Sequence, residues 1–429
     1  MPVVVLFIIF VLLLVIAVPV SITLGITSVL PSICDPSFTV GAKYLIRAMF
    51  GGLDSFPLLA VPMFVLSGII MAKGGISKKL FDVFAYFLGK FTAGMPCAVI
   101  VTCLFYGAIS GSAPATVAAV GSMTIPILTN LGYDLTFSTA IVAVAGGLGV
   151  IIPPSIPFIM YGMASGASVS DLFLAGIVPG LMIGALLMIY AIYHCKRYGE
   201  DKAKIHAEVQ ELHDKGLLKV LKESFFALLS PVIILGCIYS GVASPTEAAV
   251  ISVFYALIIS LFVYKSIHIR DIWGILVEAI RTFTPILFIL AASTAFSRVL
   301  TLMQVPQTVS EFILNNFHSP VAILLIINLF LLIVGMVMDT TPAILILTPI
   351  LLPIVTAVGM NPIHFGIMMV VNLAIGFVTP PIGVNLFVAS SLTDIPIMRI
   401  SKHAMPMIGY FLVALLLITF IPAISLALI

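Results

Sequence analysis

Long apolar runs recur through this chain, and they limit its fold before any motif is read. They lie near 3–30, 55–72, 96–128, 135–163 and 172–193, then 224–241, 247–264, 282–303, 320–356, 363–392 and 404–425. A helix needs about 20 apolar residues to cross a bilayer, and only helices and closed barrels satisfy their backbone groups there. Charge agrees: 62% of the 429 residues are hydrophobic and 8% are charged, against roughly 25% charged in an ordinary soluble domain. Soluble, disordered, collagen-like and nucleic-acid-binding classes are thereby excluded. A net charge of +2 offers no footprint for a polyanion. The five cysteines (34, 97, 103, 195, 237) lack CxxC spacing, which argues against a disulfide framework and a zinc site. An all-α polytopic membrane protein is expected, with room for roughly ten to fourteen crossings or half-crossings. The run Pro2–Leu30 has no basic n-region and is too long for a signal h-region, so it reads as a retained span.

The few charges are concentrated. Thirteen of the 36 lie between His194 and Glu223, and seven of those are basic. The stretch reads as a solvated surface helix on the cytoplasmic side, and it divides the chain in two. The halves repeat at an offset of 227 residues. In that register Pro153-Pro154 falls on Pro380-Pro381, Pro126 on Pro353, Gly132 on Gly359, Gly149 on Gly376, Thr129 on Thr356 and Pro179 on Pro406. Basic loops swap sides between the halves. Lys73, Lys78, Lys79 and Lys90 face a 304–319 counterpart with no Lys or Arg, and Arg399 and Lys402 face a bare 165–176. The repeat is therefore expected to be inverted, with 73–95 and 394–403 inside and 165–171 and 304–319 outside. The number of crossings before Gly41 is left open.

Segment 76–94 mixes Lys with Phe, Tyr and Leu, which suits a helix lying in the interface. Segment 305–317 looks like its partner. Each precedes a long apolar stretch interrupted at its centre by small and polar residues: Ser110-Gly111-Ser112-Ala113-Pro114 in one, Asp339-Thr340-Thr341-Pro342 in the other. Both stretches read as re-entrant helical hairpins whose tips reach the bilayer middle. Each half then carries a Pro-Pro break flanked by glycines, Gly146–Ser155 and Gly376–Asn385. Two successive prolines remove two amide donors. Non-helical backbone at this depth is tolerated only against protein or a water-filled cavity. Sodium suits the freed carbonyl and hydroxyl oxygens, and a substrate carboxylate suits half-helix N-termini. The plain alternative is a proline kink without a ligand.

Asp339 is the one acidic residue well inside an apolar segment, and intramembrane carboxylates default to function. It is read as a cation ligand or coupling residue, with hairpin capping as the alternative. Arg298 near the end of 282–303 is either a snorkelling anchor or a partner for a substrate carboxylate. Ser244-Pro245-Thr246-Glu247 reads as a helix N-terminus. There is no GxxxxGK[ST], HExxH or GxSxG pattern, and the histidines do not cluster, so no enzyme is expected. An aspartyl protease would need a second buried Asp. A stand-alone permease or channel remains the competing class.

The sequence resembles the large membrane (M, DctM-like) subunit of TRAP transporters, within the ion-transporter superfamily, over essentially its whole length. The carriers are Gly51–Pro62 (GGLDSFPLLAVP), Ile109–Ile125 (ISGSAPATVAAVGSMTI), Ile151–Ser155, Ser244–Val250 and Thr379–Asn385. Pro114 departs from the usual small or polar residue at the first tip. The resemblance implies a Na⁺-driven uptake system for an organic acid in the bacterial inner membrane. It also implies a small membrane (Q) subunit and a periplasmic substrate-binding protein as partners. The mechanism it implies is an elevator coupled to two or more Na⁺ ions. Residues 95–165 and 320–392 would form the mobile transport domain. Residues 1–94, 166–319 (with the connecting helix 194–223) and 393–429 would form the scaffold. The implied Na⁺ ligands are Ser110, Gly111, Ser112, Gly149, Pro153, Asp339, Thr340, Thr341, Gly376 and Thr379. The implied substrate contacts are Arg298, Ser112, Ser155 and Asn385. Sialic acid is the favoured substrate on overall similarity, with a C4-dicarboxylate as the other candidate.

Overall fold

The computed structural model describes residues 3–34, 38 and 41–429, and these contain helices but no strand. The first half runs through α1 (Val3–Val15), α2 (Val20–Cys34), α3 (Ala42–Leu53), α4 (Ala60–Lys73), α5 (Ile76–Leu88), α6 (Gly94–Ser110), α7 (Ala113–Asn130), α8 (Leu135–Gly146), α9 (Ile156–Ser165) and α10 (Val169–Tyr198). A connecting helix, α11 (Lys202–Asp214), follows. The second half contains α12 (Leu217–Tyr239), α13 (Pro245–Ile258), α14 (Ile272–Leu302), α15 (Val305–Asn316), α16 (Pro320–Val337), α17 (Thr340–Ala357), α18 (Pro362–Gly376), α19 (Val384–Thr393), α20 (Ile397–Phe420) and α21 (Pro422–Leu426). Among the described residues, eight helical stretches are long and apolar enough to cross a membrane. The protein is an all-α, multi-pass membrane protein.

Two sequence expectations change. The apolar run 3–30 is two helices, because Ala17 takes a left-handed φ of 62° and Pro19 follows. Proline lacks the amide donor and disfavours helix at the preceding residue. The charged stretch 194–223 is not one helix either. Gly199 and Gly216 sit at φ 82° and 79°, and divide it into the end of α10, the surface helix α11 and the start of α12. Glycine takes that conformation without a Cβ penalty. α11 buries Ile205, Val209 and Leu212 on one face, so it is a docked helix.

The 227-residue repeat is carried by the backbone. α7 and α17 coincide end to end in that register. Gly132 and Gly359 share a left-handed φ (93° and 87°). Asp134 and Asn361 each accept a backbone N–H at the head of the next helix. Pro153-Pro154 and Pro380-Pro381 are both cis.

Hydrogen bonds fix the inversion. At the mouth of the first hairpin (α6–α7), Glu200 accepts from the Ala93 amide and from the Tyr133 hydroxyl. That mouth therefore lies on the α11 face. α8, the break and α9 then cross to the opposite face. There the Tyr161 hydroxyl donates to the Pro362 carbonyl, 2.6 Å away, at the head of α18. The second hairpin (α16–α17) thus opens on the face opposite to the first. Loop 73–95 is held to the α11 face by Lys79–Glu223, and segment 394–403 by Lys402 and His403 beside Tyr133 and His194. By the positive-inside rule this face is cytoplasmic.

The two halves interlock. α7 packs on α19, and α17 packs on α9. α8 and α18 lie at the centre, buried from Thr136 to Gly146 and from His364 to Gly376. α4 packs along α13 and α14, and α2 along α14, while α4 and α14 also touch the hairpin helices α6 and α17. α10 and α20 fall outside the block 95–165 plus 320–392, yet they pack on α18 and α8 and on each other. Lipid supplies no hydrophobic drive between helices, so close backbone approach over small residues does the packing. A methyl on Gly107 would meet the Gly149 Cα at 2.7 Å, and one on Gly376 would meet Gly335 backbone at 2.3 Å. Both hairpins are locked onto the breaks by this device.

Candidate functional site

Each hairpin tip meets the broken helix of its own half. In the first half α6 ends at Ser110, Gly111 turns at φ 61°, and Ser112 begins α7. The Ile156 amide, just past the Pro-Pro break, donates to the Gly111 carbonyl at 3.2 Å. A Cβ on Gly111 would lie 2.8 Å from the Pro154 carbonyl. Ser110 and Thr116 hydroxyls are 3.0 Å apart, and both donate toward the Ser112 carbonyl (3.3 and 2.8 Å). Gly149 abuts this oxygen cluster, since a methyl there would lie 2.4 Å from Thr116 Oγ1. Thr116 is absent from the expected ligand set, although its place one helical turn after Ser112 was visible in the sequence. Pro153 is buried in the break.

The second half repeats the arrangement with a carboxylate added. Asp339 caps α17, accepting from the Thr340 amide (2.6 Å) and the Thr340 hydroxyl (3.2 Å). Thr340 and Thr341 are buried beneath it. The Ile382 amide donates to the Met336 carbonyl, which ties break to tip as in the first half. Thr379 donates to the Ile375 carbonyl. Asn385 Nδ2 donates to the Ala143 carbonyl of α8, while its Oδ1 is buried without a partner. A buried unpartnered amide oxygen is costly, and a hard cation is a suitable partner for it. The Ser110–Ser112–Thr116 cluster likewise presents oxygen only.

The four expected substrate contacts do not converge. Ser112 lines a cavity of about 530 Å³ on the α11 face. Arg298 lines another of about 570 Å³ on the opposite face, among Ser55, Ser244, Thr294 and Ser297. Ser155 is buried as the cap of α9, donating to the Val150 carbonyl and accepting from the Phe158 amide. Asn385 is fully buried as described. These two act here as internal links away from either cavity. Glu247 forms a capping box with Ser244, as its spacing indicates.

On the α11 face, burial and the hydrogen bond to Glu200 push the Tyr133 phenol well above its ordinary range. It therefore stays a proton donor, and holds the first hairpin's mouth to the loop before α11.

Inverted hairpins meeting broken helices, with a cavity toward each face, define a multi-pass transport protein. Comparison with known proteins agrees, and the chain belongs to the family described as the DctM component of the tripartite ATP-independent periplasmic transporters, whose model matches residues 7–424. An isethionate TRAP transporter permease, DctMQ, of Oleidesulfovibrio alaskensis is 45% identical over 99% of this chain, which spans 66% of that relative's length. A C4-dicarboxylate TRAP large permease of Pseudomonas aeruginosa is 40% identical, covering 89% of this chain and 88% of its own. A sialic acid TRAP large permease of Vibrio cholerae is 34% identical over 91% and 90%. Among solved structures, the Alcanivorax borkumensis YdaH transporter superposes with a TM-score of 0.62 at 14% identity, covering 97% of this chain and 98% of that one. That likeness concerns the fold alone.

Proposed function

We propose that this chain is the membrane permease of a Na⁺-coupled, binding-protein-dependent uptake system for an organic acid anion. The observation that carries the reading is the pair of oxygen-lined tip-and-break sites, above all the buried, unpartnered Asn385 Oδ1 beside the second break. Na⁺ is the coupling substrate. Ser110, Ser112 and Thr116 would hold it in the first half, and Asp339, Thr340, Thr341, Thr379 and Asn385 would hold it in the second. Filling both sites neutralises the Asp339 carboxylate and gives the orphaned oxygens a partner, which favours a loaded transport body crossing the bilayer.

Isethionate, C4-dicarboxylate and sialic acid, named for the relatives, share an anionic head. The single guanidinium of Arg298 in a hydroxyl-lined cavity suits one such head. Sialic acid, a C4-dicarboxylate and isethionate therefore stand as candidates of one class. The partners are a small membrane subunit and a soluble binding protein. The relative named DctMQ is longer than this chain by about a third of its own length, which fits a small subunit carried on the same polypeptide. Movement is of the elevator kind, with the interlocked hairpins and breaks shifting as one body in the bacterial inner membrane.

The test is uptake into proteoliposomes holding the chain and its small subunit, with the binding protein outside. Accumulation is expected only under an inward Na⁺ gradient. Uptake that persists when choline replaces Na⁺ sinks the coupling. Uptake without the partners supports a stand-alone permease instead.

A further inference from the structure

The cavities on the two faces are related to each other by the repeat. On the α11 face, α4 contributes Val65, Ile69, Ala72 and Lys73. On the opposite face, α14 contributes Leu290, Thr294, Ser297 and Arg298. Each residue of the first set lies 225 positions before its counterpart in the second. The hairpin walls correspond too: Ala118 and Ser122 of α7 line one cavity, and Leu345 and Pro349 of α17, 227 positions on, line the other. Lys73 and Arg298 are therefore structural counterparts at the same corner of each cavity, and a second lysine, Lys78 of α5, also lines the α11-face cavity.

Their surroundings differ. Lys73 Nζ lies 2.5 Å from Glu278, which lines the same cavity. Arg298 makes no ion pair or hydrogen bond among the described residues. The position 225 before Glu278 is Leu53, which has no charge. Its neighbour Asp54 does not line the Arg298 cavity and makes no ion pair with Arg298 among the described residues.

We propose that Lys73 is a second anion-binding cation on the release side, and that Glu278 is its built-in competitor. The inference rests on the reading that the substrate is an organic anion. A carboxylate or sulfonate reaching Arg298 meets a guanidinium with no ion-pair partner among the described residues and binds by charge-assisted hydrogen bonds. The same group reaching Lys73 must displace Glu278, so it is held more weakly and leaves faster. Net direction still comes from the ion gradient. The Lys73–Glu278 pair sets how readily the unloaded carrier is regained.

The experiment uses the complete system in proteoliposomes, with whichever of isethionate, succinate or sialic acid the wild type accumulates. Net Na⁺-driven uptake is followed against increasing concentrations of the same anion preloaded inside. Glu278→Gln is expected to make internal anion inhibit at about two- to fivefold lower concentration, the size an exposed ion pair carries, with the external half-saturation unchanged. Lys73→Met is expected to shift internal inhibition the other way. The double variant should follow Lys73→Met, and Lys73→Arg should behave as wild type. Arg298→Met should weaken external half-saturation only. Glu278→Gln that leaves internal inhibition unmoved, or shifts both sides equally, overturns the proposal. A wild type that accumulates none of the three anions with Na⁺ overturns the functional reading instead.

Discussion

The two tip-and-break units have the same backbone but different exposure. Around the first break, residues 149–155 are all buried, and so are Ser110 and Gly111 at the tip. Around the second, Asp339, Pro381 and Ile382 are exposed in the isolated chain. The hairpins differ likewise. α6 is buried on nearly every side under α5, α10 and α4, whereas α16 leaves Leu329, Phe330 and Ile333 exposed. The first unit uses hydroxyls and carbonyls alone. The open unit carries the carboxylate. The first unit meets the α11-face cavity through Ser110 and Ser112, whereas the second carries its carboxylate on an exposed part of the chain.

The sharpest way to break this comparison is to remove the charge at the open unit. Asparagine caps a helix about as well as aspartate, whereas alanine loses about 1 kcal/mol. Asp339→Asn therefore keeps the hydrogen bond to the Thr340 amide and loses only the charge. Both Asp339→Asn and Asp339→Ala are expected to drop Na⁺-dependent uptake to background with normal membrane levels. Asp339→Asn with wild-type Na⁺ dependence would make Asp339 a cap and nothing more.

Next in size come the glycine crossings. A methyl at Gly376 would lie 2.3 Å from the Gly335 carbonyl carbon and oxygen, both backbone atoms. At Gly149 the nearest atom is the Thr116 hydroxyl at 2.4 Å, which can rotate, with the Ser112 carbonyl at 2.8 Å. Overpacking costs roughly 1–3 kcal/mol, so Gly376→Ala is expected at the upper end and Gly149→Ala below it. Thermal melting of the detergent-solubilised chain reads the difference. Gly25→Ala, inside α2 with open space around it, serves as the control that gains helix propensity without a clash and should melt no lower than the parent. Equal melting of all three variants would remove the crossings from the account.

A smaller effect is expected at the first unit. Ser110→Ala deletes one hydroxyl that faces Thr116 and the Ser112 carbonyl. At the usual worth of one hydrogen bond, half-saturation by Na⁺ should rise roughly two- to tenfold, while half-saturation by the anion stays put. An unchanged Na⁺ dependence would place the ion elsewhere.

Much of this was legible in the sequence. The Pro-Pro pairs at 153 and 380, the glycines at 149 and 376 and the basic loops carried the repeat and its inversion, because backbone requirements leave fixed residue types. The hairpin tips were legible for the same reason, since polar residues at mid-membrane have few other uses. The Lys73–Glu278 pair was not, because its members lie 205 positions apart and each looks like an ordinary interfacial charge. The engagement of the Ser155 hydroxyl inside its own break was not legible either. Serine in a polar break reads as a ligand until its hydrogen bonds are known.

The mildest test concerns the interfacial helices, where the halves again differ. Asp82 lies in α5, and the position 227 on, in α15, is Val309. Burial raises the Asp82 carboxyl above its usual range. Lys78, Lys79 and Lys215 oppose that shift, and Glu223 adds to it. An acid raised in the folded state binds its proton more tightly there than when unfolded. The folded form therefore loses stability as pH climbs from the unfolded to the folded value, and the loss is complete above both. Asp82→Asn removes the titration. A small rise in melting temperature is expected at pH 7 and none near pH 3, where Asp82 is already protonated. The opposite sign, a variant less stable at pH 7, would mean that attraction to the three lysines outweighs burial and that α5 is held by charge.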